Sequence, residues 1–286
     1  MSCGLGLFVV FASMITGYLG GGGNIMVIFQ PFELLLIIGT AIGSFIISTP
    51  KHLRAEVISC LKKIGAKHQY HKEHYTILLL FLFNFLKKVR TATAIEIESY
   101  LDNPENSSLF DDLRTLPNSE AITTFFCDSF RMVMLGVDNP HEIDNMIECV
   151  IQRTFDKMKE AGAAIHTLGE ALPGLGIVAA VTGVIIAMGA VGADSATLSI
   201  KIASAMVGTL VGVFLSYGVV SPIGTLFEKI ASDNIVPLEC IKMAIITYVA
   251  GHPPSLCMEL ARQILPAESK PSIIELENAV NLLSNQ

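Results

Sequence analysis

Four stretches of the chain are apolar almost without interruption, and the rest follows a helical rhythm. The first runs from about Leu5 to Leu19, the second from about Leu34 to Ser48, the third from Ala171 to Val191 and the fourth from Ile202 to Ile223. A membrane-crossing helix needs about 20 mostly apolar residues to span roughly 30 Å of hydrocarbon. All four are therefore expected to cross, the glycine run Gly20–Gly23 and Pro31 turning the first into the second. Between them, His74–Val89 is too apolar for a fully exposed helix. Ile122–Leu135 and Ile143–Met158 repeat their apolar residues at helical spacing. Asp102-Asn103-Pro104 and Asp138-Asn139-Pro140 read as helix stop-and-cap signals. In the tail, breaks are expected at Pro237, Pro253-Pro254, Pro266 and Pro271. No stretch alternates convincingly enough for a strand. The pattern predicts an all-α integral membrane protein with four transmembrane helices. A helical domain lies between helices two and three, and a helical tail follows helix four.

Charge sets the expected orientation. Residues 51–168 hold fourteen of the 19 Lys/Arg and the tail after Ile223 holds four; the hairpin joining helices one and two holds none. Basic loops stay cytoplasmic. The expected organisation is then 1–49 as helices one and two, 50–168 as a cytoplasmic domain, 169–223 as helices three and four, and 224–286 as a cytoplasmic tail. Both termini are expected inside, in a multi-pass protein of the inner membrane. Met1–Phe8 carries no Lys or Arg, so the first segment reads as a retained helix and not as a signal peptide.

Composition narrows the function. Only 16% of the 286 residues are charged, against about 25% in ordinary soluble domains, and the mean hydropathy is +0.57. The net charge of −7 with no basic tract argues against nucleic-acid binding. Six scattered cysteines without a CxxC argue against a secreted disulfide framework and read as reduced thiols. His68, His71 and His74 recur every third residue, which reads as a solvated stripe beside Lys67 and Lys72 rather than a metal site. No HExxH, GxSxG or phosphate-loop pattern is present, so no enzyme activity and no cofactor are expected.

Helices three and four are rich in small residues that let backbones approach in lipid, among them Gly174, Gly176, Gly183, Gly208 and Gly212. Pro173 and Pro222 lie at their cytoplasmic ends, where a bend would couple membrane movement to the cytoplasmic domain. No Asp, Glu, Lys, Arg or His lies within the four stretches; Glu33, Glu170 and Lys201 sit at their edges. An ion relay needs an ionisable group in the membrane. Either the chain moves no ions, or a partner helix brings the titrating carboxylate and this chain builds the wall around it. In that wall Thr209, Ser204 and Ser216 offer hydroxyls, Met206 lies on the same helix, and Ala180 offers no oxygen ligand.

The run Ala205–Phe214 followed by Pro222, the run Leu172–Val181, and Gln30-Pro31-Phe32-Glu33-Leu34 all resemble the MotA family. So do Gly43-Ser44-Phe45, Asn103-Pro104 and the closing Lys270–Glu277. The resemblance covers nearly the whole chain in order. It implies a stator subunit of the bacterial flagellar motor, assembled as a ring of five around two MotB-like chains that supply the ion-binding Asp and grip peptidoglycan. It also implies that Arg90 and Glu98, with Lys87 and Lys88 as auxiliaries, face the rotor protein FliG, and that Pro173 and Pro222 couple ion flow to torque. The eight-residue spacing of Arg90 and Glu98 is about two helical turns and would place them on one face. Sodium-type relatives carry Thr where this chain has Ala180 and Gly208, so the expected ion is the proton, with sodium as the alternative. A related ExbB/TolQ-like role is the other reading.

Overall fold

The computed structural model describes residues 2–63, 70–189 and 195–284, and every regular element among them is helical. In chain order these are α1 (Ser2–Gly20), α2 (Ile25–Ile28), α3 (Pro31–Ser48), α4 (Lys51–Lys63), α5 (Lys72–Val89) and α6 (Ala94–Asp102). Three short 3₁₀ turns lead to α7 (Ser119–Met134), α8 (Pro140–Met188), α9 (Ser195–Leu215), a π-helical turn (Ser216–Val220), α10 (Ser221–Val249), α11 (Pro254–Ile264) and α12 (Ile273–Ser284). Among the described residues, four stretches are long and apolar enough to span a membrane: Cys3–Gly20, Ile25–Ser48, and segments within Pro140–Met188 and Lys201–Val249.

Two expected boundaries differ. The third apolar stretch does not begin a helix near Ala171; it is the second half of α8, a 49-residue helix that starts at Pro140. Asn139 caps it, its side chain accepting from the His141 N–H at 3.1 Å. No proline follows Met158 until Pro173, which sits inside the helix, and Gly162 and Gly169 are carried through by close packing against α10 and the residues before it. Nor does Pro237 break the tail: it lies within α10. There the buried stripe Ile235, Leu238, Ile241, Ala244 and Ile245 keeps helical spacing across the proline, and packing of that stripe outweighs one missing hydrogen bond. Pro253-Pro254, Pro266 and Pro271 do fall between helices.

The chain divides into two compact units. The first holds residues 1–67 and 157–229. Its apolar contacts join Ile37 and Ala41 of α3 to Leu172, Ala179, Val207 and Val211 of α8 and α9. A second cluster joins Val57 of α4 to Ala161, Ile165 and Phe227. Helix α1 buries none of its apolar window and touches α9 through the edge-on pair Phe11–Phe214, centroids 5.4 Å apart. An apolar surface of this kind is stable in hydrocarbon and not in water.

The second unit holds residues 68–156 and 230–286 and has its own apolar core. Helix α5 buries Tyr75, Leu78, Leu79, Leu82, Phe85 and Leu86 on one stripe, which explains why its sequence is so apolar. Phe81, Phe85, Phe110, Phe126 and Phe130 form its centre, with Phe85 and Phe126 crossing edge-to-face at 4.7 Å. Charges fix the rim. Lys72 reaches Glu275 at 2.6 Å, and together with the Ser272 cap it holds the Glu275 carboxyl down at about 2. Arg262, nearly buried, pairs with both Glu259 oxygens at 2.7 Å and donates to the Pro271 carbonyl. His71 and His74 cap the start of α5 reciprocally; His68 and Lys67 lie outside the described residues. Cys3, Cys127, Cys149, Cys240 and Cys257 are free thiols, and the Cys60 side chain lies outside the described residues.

Candidate functional site

In the first unit α8 lies against the π turn, α9 and the start of α10 along a seam of missing side chains. Gly162, Gly169, Gly176 and Gly183 recur at intervals of seven on α8. A Cβ at Gly176 would stand 2.8 Å from the Gly208 carbonyl oxygen and 3.1 Å from the Gly212 Cα. One at Gly183 would stand 2.9 Å from the Ala205 Cα, and one at Gly169 would stand 3.3 Å from the Ser221 backbone nitrogen. From the other side, a Cβ at Gly212 would meet the Leu172 oxygen at 2.7 Å, and one at Gly224 the His166 nitrogen at 3.2 Å. Over 21 residues the seam is about 31 Å long, from Gly162 outside the apolar stretch to Gly183 within it. A strict seven-residue repeat keeps one line of a helix facing its partner only if the two wind left-handedly. The small residues were legible in the sequence; their spacing of seven, extending below the membrane to Gly162, is the signal that composition alone misses.

The two prolines act on this seam through the Gly169–Ser221 contact. Pro173 has no N–H for the Gly169 carbonyl, four residues back, and Gly169 is the glycine that abuts Ser221. Pro222 follows Ser221 immediately. The turn before it is π-helical, the Ser221 N–H donating to the Ser216 carbonyl five residues back. A π turn before a proline absorbs the register change that the missing N–H forces. Both helices are thus loosened where they touch.

The hydroxyl-bearing and apolar wall positions do not share one face. Met206 is 70% exposed and stands in an uncovered apolar stripe with Ile202, Leu210, Val213 and Tyr217. Thr209 and Ala180 flank the seam, the Thr209 Cα 3.4 Å from a Cβ at Gly176 and the Ala180 nitrogen 3.2 Å from one at Gly208. Ser216 is 1% exposed, and its hydroxyl has no hydrogen-bond partner among the described residues. Ser204 donates instead to Glu33 of α3 at 3.0 Å. Glu33 is therefore not merely at the edge of an acid-free stretch: α3 starts at Pro31, two residues earlier than the acid and three before the expected start, because proline is preorganised for the first helical position. Thr182 spends its hydroxyl proton on the Val178 carbonyl at 2.9 Å. On α8 the stripe Ile177, Val181, Val184, Ile185 and Met188 is likewise uncovered.

The four charged positions lie exposed in the second unit. Lys87 and Lys88 occupy the last turn of α5, where cations complement the helix dipole, and Arg90 closes that helix. The Arg90 guanidinium donates to the His252 carbonyl at 3.0 Å, beside a cavity of about 340 Å³ lined by Asp138, Val137 and Tyr248. Gly251, at φ +88°, makes the turn that presents that carbonyl. Glu98 lies on α6, a different helix. The two-turn reading of the Arg90–Glu98 spacing fails because Thr93 starts a new helix. Its hydroxyl accepts from the Glu96 N–H while the Glu96 carboxylate accepts from the Thr93 N–H. That backbone hydrogen bond from Thr93 holds the Glu96 carboxyl below the usual carboxylate range.

Comparison with known proteins identifies this arrangement. Residues 4–93 match the family described as Motility protein A N-terminal, and residues 118–239 match the MotA/TolQ/ExbB proton channel family. Motility protein A of Escherichia coli strain K12 is 31% identical over 281 residues, covering 98% of this chain and 95% of its own. Chemotaxis protein LafT of Vibrio parahaemolyticus is 31% identical over 277 residues, covering 96% of each. In fold, the chain is similar to one in the C. jejuni MotAB structure, with a TM-score of 0.76 at 21% identity over 95% of this chain and 98% of that one. A chain in the flagellar MotAB stator complex from Bacillus subtilis gives a TM-score of 0.71 at 18% identity, over 94% and 98%. The chain, an inner-membrane multi-pass protein, belongs to the MotA family of flagellar stator subunits.

Proposed function

We propose that this stator subunit works with a MotB-like partner to couple inward proton flow to torque on the rotor protein FliG. The observation that carries the reading is the glycine seam, loosened on both helices near Pro173 and Pro222, beside apolar stripes of α8 and α9 that no described residue covers. A ring of copies, five by family resemblance, closes those stripes around the partner's single helix, whose carboxylate takes the ion. Protonation of that carboxylate changes how tightly the two helices pack. The charged surface of Arg90, Glu98, Lys87 and Lys88 then engages the rotor reversibly, as exposed charges favour steering over tight binding. Residues 50–168 and 224–286 are cytoplasmic in this reading, with both termini inside.

Ion choice rests on oxygen ligands. Sodium that sheds water needs them, and Ala180 and Gly208 provide none. Proton drive is therefore preferred over sodium. The experiment is complementation of a stator-deficient motile bacterium with this chain and its partner. Pro173→Ala, and separately the double change Arg90→Glu with Glu98→Lys, are expected to abolish or sharply reduce rotation with normal membrane levels of protein. Retained torque in both would refute the reading. Motility that follows external sodium and stops with phenamil would reassign the ion.

A further inference from the structure

Glu33 is the carboxylate of α3, the helix that forms most of the second apolar stretch, and the geometry around it is unusual. It stands at the third position of α3, where an acid ordinarily turns back to cap its own helix. Here the Gln30 N–H donates to the Ile28 carbonyl instead, and no side chain caps α3. The Glu33 carboxylate crosses to α9 and accepts from the Ser204 hydroxyl at 3.0 Å, both groups half-buried. Ser204 is the tenth residue of α9, about 13 Å from that helix's start. An acid held partly out of water one turn inside the apolar stretch that begins at Lys201 is costly to a membrane protein, and such residues mark ion paths.

Few other charges surround it. On α9 the ionisable group is Lys201, one turn before Ser204; on α1 there are Cys3 and Tyr18, whose hydroxyl donates to the Asn24 carbonyl. Helix α2, the rest of α3 and residues 171–188 of α8 carry none. Apart from Lys201 the surroundings are apolar, and a negative charge between low-dielectric walls concentrates cations.

We infer that Glu33, positioned by Ser204, is a cation-collecting site belonging to this chain itself. On the stator reading, with both termini cytoplasmic, it lies toward the external side. The carboxylate takes a proton from an entering hydronium ion, releasing water, and returns it to the path that leads to the partner's acid. No net bond change remains after each passage.

The test uses the full chain co-expressed with its partner in a form lacking the segment that blocks conduction, and reads cytoplasmic acidification against external pH and sodium. Glu33→Gln keeps an oxygen for Ser204 and removes the charge. It is expected to slow acidification on the order of tenfold at alkaline external pH. The deficit closes at mildly acidic pH, where protons are abundant. Glu33→Asp retains most of the rate, and Ser204→Ala gives a smaller loss with the same pH shape. A deficit that tracks external sodium keeps the site and makes sodium the collected cation. Glu33→Gln rates equal to the parent at every pH overturn the proposal. So do equal, pH-independent losses in Glu33→Gln and Ser204→Ala, which mark a structural clip. A parent chain that acidifies nothing overturns the stator reading instead.

Discussion

Gly176 and Gly174 are two residues apart in the same helix and have opposite surroundings. A Cβ on the first would press against the Gly208 oxygen at 2.8 Å; a Cβ on the second meets nothing within 4 Å. Gly176→Ala is expected to destabilise the helix pair by about 1–3 kcal/mol, as overpacking against backbone does, and to impair motility. Gly174→Ala is expected to leave both unchanged; thermal unfolding in detergent and swimming on soft agar read the difference. Glu275 carries a pH signature. Its carboxyl, held at about 2 by Lys72 and Ser272, stays ionised in the folded state below the pH where an unfolded glutamate, near 4.3, takes up its proton. A lowered folded value means that its contribution is complete above about pH 4.3 and fades as pH falls toward 2. Hydrogen exchange of α12 is expected to speed up through that window, and Glu275→Gln is expected to remove the pH dependence.

Among the helices, α5 shows what a sequence discloses. Its apolar stripe and the cap at its start announce a buried helix, and the structure buries that stripe around Phe85 and Phe126. Phe126→Ala is expected to cost about 3–5 kcal/mol, seen as a lowered unfolding temperature of the second unit. The capping signals Asp102-Asn103-Pro104 and Asn139-Pro140 were equally legible, because caps are local chemistry. What stayed hidden depends on distant partners. Pro237 looks like a breaker until the stripe on either side of it is seen buried. The start of α6 at Thr93 was written in the Thr-x-x-Glu cap, yet the spacing of Arg90 and Glu98 suggested one helix. The Glu33–Ser204 hydrogen bond joins positions 171 residues apart, and no local pattern announces such a pair.

At the level of the folded chain, apolar spans and a charge-rimmed core divide the sequence between two solvents. The orientation expected from where the basic residues lie is measurable. Met26, exposed in the hairpin that follows α1, when changed to Cys is expected to react with a membrane-impermeant maleimide in intact cells. The native, exposed Cys149 is expected to react only after lysis. Labelling of both in intact cells would reverse or break the topology. The uncovered stripes of α8 and α9 carry a matching expectation: the chain purified with its partner should run as a multimer, and Met206→Glu, placing a charge at a 70% exposed apolar position, should reduce that assembly.

The seam between α8 and its neighbours has a lasting consequence for how the protein can vary. A contact defined by absent side chains has no room to drift, since no amino acid is smaller than glycine and each codon change at Gly169, Gly176, Gly208 or Gly212 can only add bulk. Ordinary cores exchange leucine for methionine and recover; this one has no such neutral neighbour to visit. Sister sequences should therefore vary freely on the bilayer-facing stripes while these positions stay frozen or change only in concert across the pair.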